Sequence, residues 1–240
     1  MEISATGKRR VLMPSFQQNI YKLIYKPFLS MYLKRDVSVR FDGFKLKVFK
    51  GVFHPKLFFS TSYFYDFIKK QELKNKRFLE IGCGSGILSL LALKKEALVT
   101  AIDIDEKAVE NTQLNFSKNF ISLNNVKIIQ SDLFANLHKQ AFDVIIINPP
   151  YYFKKVETAS QYAWYCGEHG EYFEKLFLSI HHHIHTDTLA FIILEENCEI
   201  DRIKAIAAKY NIEFMLLEER LIKWEINYIF KIKLVGINAK

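Results

Sequence analysis

The stretch that most constrains this chain is Phe78-Leu79-Glu80-Ile81-Gly82-Cys83-Gly84-Ser85-Gly86-Ile87-Leu88-Ser89-Leu90. An apolar run meets three alternating glycines, and a second apolar run follows at helical spacing. Such a run of residues predicts a strand, a tight turn and the start of a helix. The glycines leave room for a ligand to lie against the backbone. The first amides of the helix then face that ligand. This is a nucleotide-type site at the carboxyl end of a first parallel strand.

The glycine turn alone is a weak signal, because its spacing is G-x-G-x-G rather than the G-x-G-x-x-G of dinucleotide enzymes. Its order within the chain strengthens it. Val99 to Asp103 reads as a second strand ending in an acid, and Ser131-Asp132-Leu133-Phe134 closes a third. Val144 to Ile147 runs into Asn148-Pro149-Pro150-Tyr151. Four strand ends thus carry polar or special residues, as a ligand crevice requires. Here the chain resembles the class I S-adenosylmethionine-dependent methyltransferases. The E-x-G-C-G-S-G turn, the acid closing the second strand and the Asn-Pro-Pro-Tyr tetrad carry the resemblance, which covers roughly residues 52–234. The tetrad narrows it to the enzymes that methylate a planar nitrogen, the release-factor glutamine (HemK-like) and N6-adenine methyltransferases.

The periodicity predicts strands near 78–82, 98–103, 126–130, 143–147, 188–195, 212–218 and 225–234, with helices near 86–95, 105–118, 167–185 and 198–210. Alternation of this kind gives an α/β fold with a doubly wound, mostly parallel sheet. The last two strands have no room for a crossover helix between them, so the final one is expected to run antiparallel. That is the seven-stranded, Rossmann-like arrangement the resemblance implies.

Before this core the chain is of different character. Residues 1–77 hold 17 Lys and Arg against 5 Asp and Glu, whereas residues 78–240 hold 17 against 21; the whole carries +8. This asymmetry points to a polyanionic partner such as tRNA, rRNA or DNA, or to a solvated basic surface. Residues 1–13 are expected to fray, and Ser15 to Tyr32 shows helical spacing interrupted by Pro27. Val37 to Val48, with Asp42-Gly43 at its centre, predicts a β-hairpin carrying Lys45, Lys47 and Lys50 on its outer side or edge. A further helix is expected over Ser60 to Leu73, capped by Ser60, Thr61 or Ser62. The natural division is a helix and hairpin extension over 1–51 and a methyltransferase domain over 52–240.

Several classes are disfavoured. No run of about 18 uncharged apolar residues marks a membrane span, and Met1 to Arg10 is followed by no apolar segment of the secretory kind. Cys83, Cys166 and Cys198 are scattered and never C-x-x-C, which suits a reducing cytoplasm and no zinc site. The His181-His182-His183 run with His185 lacks supporting Cys or acid spacing, so no metal is expected. A nicotinamide oxidoreductase shares the strand, turn and acid, but neither the glycine spacing nor the tetrad.

The residues divide by chemistry. Asp103, 21 positions after Gly82, suits both hydroxyls of a ribose; Asp105 is free to cap the following helix. By resemblance, Asp132 accepts the adenine amino group while Leu133 or Phe134 packs on the ring, and Ile104 lies beside Asp103. Glu80 either accepts the methionine amino group or braces the loop amides. Gly82, Cys83, Gly84 and Gly86 form the turn, and Phe53 and Pro55 match an aromatic-x-Pro segment that lines the methyl-donor pocket. Asn148 and the Pro149 carbonyl hold a target nitrogen in line with the methyl group, Pro150 stiffens the turn and Tyr151 stacks on the target. The aromatic stretch Tyr152 to Tyr165 reads as a substrate-facing loop. Cys166-Gly167-x-x-Gly170 partly matches a glycine segment of the glutamine methyltransferases. The expected cofactor is S-adenosyl-L-methionine. The expected substrate is macromolecular, either a protein glutamine amide or adenine N6 of RNA or DNA. The alternative is a non-catalytic cofactor- or RNA-binding module of the same fold.

Overall fold

The computed structural model describes residues 35–235, apart from 56, 58, 120–124, 159–160 and 223–224. The expected frayed terminus and the helical pattern over 15–32 lie outside the described residues. Strands β1 (Val37–Phe41) and β2 (Phe44–Val48) form an antiparallel hairpin around Asp42-Gly43. Both turn residues have positive φ, 43° and 86°, as a two-residue hairpin turn that matches strand twist requires. Leu46 and Val48 are buried, while Lys45 and Lys47 point outward.

The remaining elements are α1 (Phe59–Lys69), β3 (Arg77–Ile81), α2 (Ile87–Lys94), β4 (Leu98–Asp103), α3 (Glu106–Lys118), β5 (Val126–Gln130), β6 (Phe142–Ile147), α4 (Glu171–Ser179), β7 (Ile184–Glu195), α5 (Ile200–Ala208), β8 (Ile212–Ile222) and β9 (Glu225–Leu234). Seven strands make one sheet in the order β5-β4-β3-β6-β7-β9-β8. The pairs from β5 to β7 are parallel, and β9 runs antiparallel to both β7 and β8. The expected doubly wound sheet with an antiparallel last strand is therefore present.

Two apolar layers cover the sheet. On one face Phe64, Phe67 and Ile68 of α1 and Leu90 and Leu91 of α2 pack against Phe78, Val144 and Ile146. On the other, Phe173 and Phe177 of α4 and Ile203 of α5 pack against Leu79, Ile145 and Ile192. Each such fully buried side chain contributes roughly 1.5–3 kcal/mol relative to exposure. The β3–β6 pairing sits where strand order reverses, and this switch point opens a crevice at the strand carboxyl ends.

Two expectations need correction. Helix α1 begins at Phe59, so Ser60, Thr61 and Ser62 lie inside it rather than at its cap. The Ser62 hydroxyl instead donates to the Pro55 carbonyl at 3.3 Å. The helix expected over 167–185 spans only Glu171–Ser179, followed by a single 3-10 turn over Ile180–His182. Gly167 and Gly170 have φ of 91° and 86°, which delays its start. Its end is set by His183, whose carbonyl accepts from Phe142 N as β7 begins.

Gly86 shows how tightly α2 is seated. Its φ is 76°, and a Cβ there would lie 2.7 Å from Thr112 Cγ2 and 3.2 Å from Phe116. A left-handed non-glycine residue costs about 1–2 kcal/mol before any clash. Gly86→Ala is therefore expected to lower unfolding stability by about 2 kcal/mol or more. A reduced urea midpoint at unchanged slope is the measurement that checks it.

Candidate active site

Register brings the site together. Ile81 of β3 pairs with Ile102 of β4 on one side and with Ile147 of β6 on the other. The residues that follow these three, Gly82, Asp103 and Asn148, therefore emerge side by side. Gly82 N and Cys83 N both donate to Ile102 O at 2.9 Å, so the loop turns directly over β4. A Cβ on Gly82 would lie 3.8 Å from the Asn148 carbonyl.

These ends line one cavity of about 590 Å³. Its walls include Glu80, Gly82, Cys83 and Gly84 of the turn, Asp103 and Ile104 after β4, and Asp132 and Leu133 after β5. Asn148, Pro149, Pro150 and Tyr151 after β6 close it, together with Phe53 and Pro55. Gly86 is the exception among the expected residues. It does not line the cavity, and its missing side chain makes room for Thr112 and Phe116 instead.

Asp103 is the electrostatic centre of the donor side. Its Oδ2 accepts from Gly84 N at 2.9 Å and its Oδ1 from Asp105 N at 3.0 Å. Each oxygen retains a further lone pair for a hydroxyl donor. Burial pushes this carboxyl up to about 6, opposed by those two amides. Asp105 caps α3 by accepting from Lys107 N at 3.1 Å, which leaves Asp103 to the cavity. Glu80 is buried, with Oε2 accepting from both the amide and the hydroxyl of Ser89. It thus braces the first turn of α2, and burial pushes it up to about 8. Asp132 forms an ion pair with Lys175 of α4 at 2.6 Å; Lys175, another wall residue, was not legible as one from sequence. Leu133 has φ of 52° and is buried, its carbonyl held by the Ser131 hydroxyl at 2.7 Å.

On the acceptor side, the Tyr151 hydroxyl donates to Asn148 Oδ1 at 2.7 Å. Tyr151 is 7% exposed, and burial pushes its hydroxyl well above the usual phenol range. The phenol stays a proton donor at all ordinary pH and pins the amide oxygen. Past the tetrad, Tyr152 and Tyr165 form a bridge. Trp164 packs on Phe53 at 5.2 Å between ring centroids, and Arg202 lies over Phe153 at 4.0 Å. Gly170 is needed here, because a Cβ would sit 2.6 Å from Phe153 and 2.8 Å from Ile206.

The cavity fits S-adenosylmethionine on its own features. The left-handed glycines leave open space above the loop, since a Cβ on Gly84 would reach Phe53 and Val52 only at 3.9 Å. Thr61 Oγ1 is a buried oxygen on the cavity wall with no hydrogen-bond partner in the protein. Asp103 supplies the paired acceptor that a ribose requires. Among the described residues no group of three or more His, Cys, Asp or Glu is placed to hold a metal ion. His183 stacks on Phe134 at 4.4 Å, and His185 pairs with Asp143 at 3.2 Å.

A sheet of this order with an acid and glycine cradle at its switch point is the architecture of the Rossmann-like methyltransferases. The chain belongs to the methyltransferase small domain family, whose model matches residues 43–165, just over half of its length. It is 30% identical over 128 residues to a ribosomal protein L11 methyltransferase of Fusobacterium nucleatum, covering 53% of this chain and 40% of that one. It is 35% identical over 115 residues to a Methanocaldococcus jannaschii protein provisionally named a protein N5-glutamine methyltransferase, covering 47% and 54%. The matched part of the chain thus spans about half the length of these curated relatives. Among solved structures, a 16S rRNA N2-guanine methyltransferase of T. thermophilus, in complex with S-adenosylmethionine and guanosine, superposes with a TM-score of 0.57. That match is at 15% identity and covers 82% of this chain and 50% of the other. The family is one of S-adenosylmethionine-dependent enzymes. Among the described residues no helix is long and apolar enough to cross a membrane.

Asp103 accepts hydroxyl donors best when ionised, so cofactor affinity is expected to rise as pH passes its value of about 6. Calorimetry at pH 5 and pH 8 checks this. Asp103→Asn is expected to remove the part of the pH dependence centred near 6 and to weaken binding at pH 8 by about tenfold or more. The same group bears on stability with the opposite sign. A carboxyl raised above its unfolded value binds its proton more tightly when folded, so the cofactor-free protein loses stability as pH climbs toward about 6 for Asp103 and about 8 for Glu80.

Proposed function

We propose that the chain transfers a methyl group from S-adenosylmethionine to a planar nitrogen of a macromolecule, and that this nitrogen is the side-chain amide of a protein glutamine. The observation that carries the reading is the shared cavity. The Asp103 cradle and the Asn148 to Tyr151 tetrad line the same space, with Gly82 and Asn148 adjacent.

S-adenosylmethionine, when bound, supplies an electrophilic methyl group. An amide nitrogen is a poor nucleophile because its lone pair is delocalised. The chain's task is to hold that nitrogen and favour its pyramidal form. Tyr151 occupies one lone pair of Asn148 Oδ1, and the other remains for one N–H of the target. The Pro149 carbonyl, at the cavity wall, suits the second N–H. These fixed acceptors stabilise positive charge as it develops on nitrogen. Placement supplies much of the remaining rate, and no strong base is required before the new N–C bond forms. The N–C bond forms as the methyl–sulfur bond breaks to leave the neutral thioether, and the nitrogen then releases its proton to solvent.

Two observations favour glutamine over a nucleobase. A relative named for glutamine methylation matches this region at 35% identity. Part of the basic charge between the hairpin and the start of β3 is also paired with acids. Lys47 pairs with Asp36, Lys69 with Asp42, Lys70 with Glu218, Lys74 with Glu96 and Arg77 with Asp143. Part of the expected polyanion-binding charge is therefore paired within the fold. The second reading, adenine N6, is favoured by Tyr162 at the cavity mouth, which is 44% exposed and able to stack on an extruded base. The three cysteines are free and buried, which suits a reducing cytoplasm. The division into an extension over 1–51 and a catalytic domain over 52–240 belongs to the same reading.

Asn148→Ala is expected to reduce turnover by roughly 10²-fold or more while cofactor affinity stays close to wild type. Tyr151→Phe, which keeps the ring and loses the pin, is expected to fall between the two. Methyl label from S-adenosylmethionine incorporated into cell extract separates the substrates. Label released by protease and stable to nuclease is the expected result; the reverse pattern selects adenine.

A further inference from the structure

Helix α3 presents Asn111, Asn115 and Asn119 at four-residue spacing, and all three side chains grip the backbone of β2. Asn111 Oδ1 accepts from Phe49 N at 2.9 Å, and its Nδ2 donates to Lys47 O at 2.6 Å. Asn115 Oδ1 accepts from Lys47 N at 2.7 Å, and its Nδ2 donates to Lys47 O at 2.9 Å. Asn119 Oδ1 accepts from Lys45 N at 2.9 Å, and its Nδ2 donates to Lys45 O at 3.0 Å. The two periods match, because four helical residues rise about 6.0 Å and two strand residues about 6.6–6.8 Å. The side-chain amides thus complete the open edge of β2 as a neighbouring strand would.

The same helix face also holds the glycine turn. Asn115 Nδ2 donates to Ser85 O at 2.9 Å, and the Thr112 hydroxyl donates to Gly84 O at 3.1 Å. Asn111, Thr112 and Asn115 are all fully buried. Strand β2 leads directly into Gly51, Val52, Phe53 and Pro55, which line the cavity opposite that turn. Val52 and Val48 pack on Ala108 of the same helix. One helix face therefore holds both walls between which a ligand would lie.

We propose that Asn115, with Asn111 and Asn119, is a positioning residue for the cofactor: the asparagine ladder sets the distance between the Phe53 wall and the glycine turn, and so sets cofactor affinity. This rests on the assignment of S-adenosylmethionine to the cavity. The ladder touches no reacting atom, so its loss should fall on cofactor binding rather than on the methyl-transfer step.

The test combines calorimetric binding of S-adenosylmethionine with amide hydrogen exchange on the full chain. Asn115→Asp keeps the acceptor for Lys47 N and removes the donors to Lys47 O and Ser85 O. Asn119→Ala removes the half-buried outer rung together with the Asn119 Nδ2 bond to the Asn115 carbonyl, and leaves the Asn111 and Asn115 contacts to β2 in place. The expected result for Asn115→Asp is about tenfold weaker binding, with faster exchange over both residues 44–53 and the glycine turn, and with the kinetic loss in the cofactor KM rather than kcat. Asn119→Ala is expected to speed exchange over 44–49 and weaken binding two- to threefold, and it serves alone if Asn115→Asp fails to fold. A folded variant with faster hairpin exchange and wild-type cofactor affinity overturns the proposal alone. No uptake of S-adenosylmethionine by the wild-type chain overturns it together with the functional reading.

Discussion

The site depends on a pair of buried backbone captures. Asp103 takes the amides of Gly84 and Asp105, and helix α3 takes the carbonyls of Gly84 and Ser85 through Thr112 and Asn115. A glycine turn is the least constrained kind of backbone. Held at its amide by a carboxylate and at its carbonyls by side chains, this one becomes a rigid floor. The cost is visible at Asp103 and Glu80, whose carboxyls are pushed toward neutrality by burial. Such buried acceptors fit a ligand that donates hydrogen bonds and carries positive charge.

Register then converts a fold into a site. The β3–β4 and β3–β6 pairings place Gly82 between the ends of β4 and β6, and every later feature follows from that adjacency. The tetrad cannot continue the ladder, since its two prolines lack the amide that a neighbouring strand would use. Instead it turns into the cavity, where the Tyr151 hydroxyl sets the orientation of Asn148. The loop beyond is anchored by aromatic packing, Phe53 on Trp164 and Arg202 on Phe153, so both walls of the cavity are connected to the substrate side.

Much of this was legible in the sequence, for identifiable reasons. The strands carry long apolar runs, and their ends carry residues with one chemical use, so the sheet, its antiparallel last strand and most cavity residues could be read directly. The hairpin was legible from Asp42-Gly43. Other features depend on partners distant in the chain. Gly86 looked like a ligand glycine, but its need is set by Thr112 and Phe116. The start of α4 is set by two left-handed glycines rather than by the apolar pattern, and His183 belongs to the strand side because Phe142 takes its carbonyl. The asparagine ladder left a trace, Asn-x-x-x-Asn-x-x-x-Asn over 111–119. Its meaning becomes clear only when the open edge of β2 is seen beside it. The basic excess before residue 78 was a sound count, yet acids such as Glu96, Asp143 and Glu218 neutralise part of it in three dimensions.

The most direct test is a crystal structure of the chain soaked with S-adenosylhomocysteine. The expected density places the ribose hydroxyls on the two oxygens of Asp103, the adenine beside Leu133, and the sulfur toward the Asn148 and Pro149 end of the cavity. A ribose bound away from Asp103, or a sulfur directed away from the tetrad, would contradict the assignment of donor and acceptor sides on which the proposed methyl transfer rests.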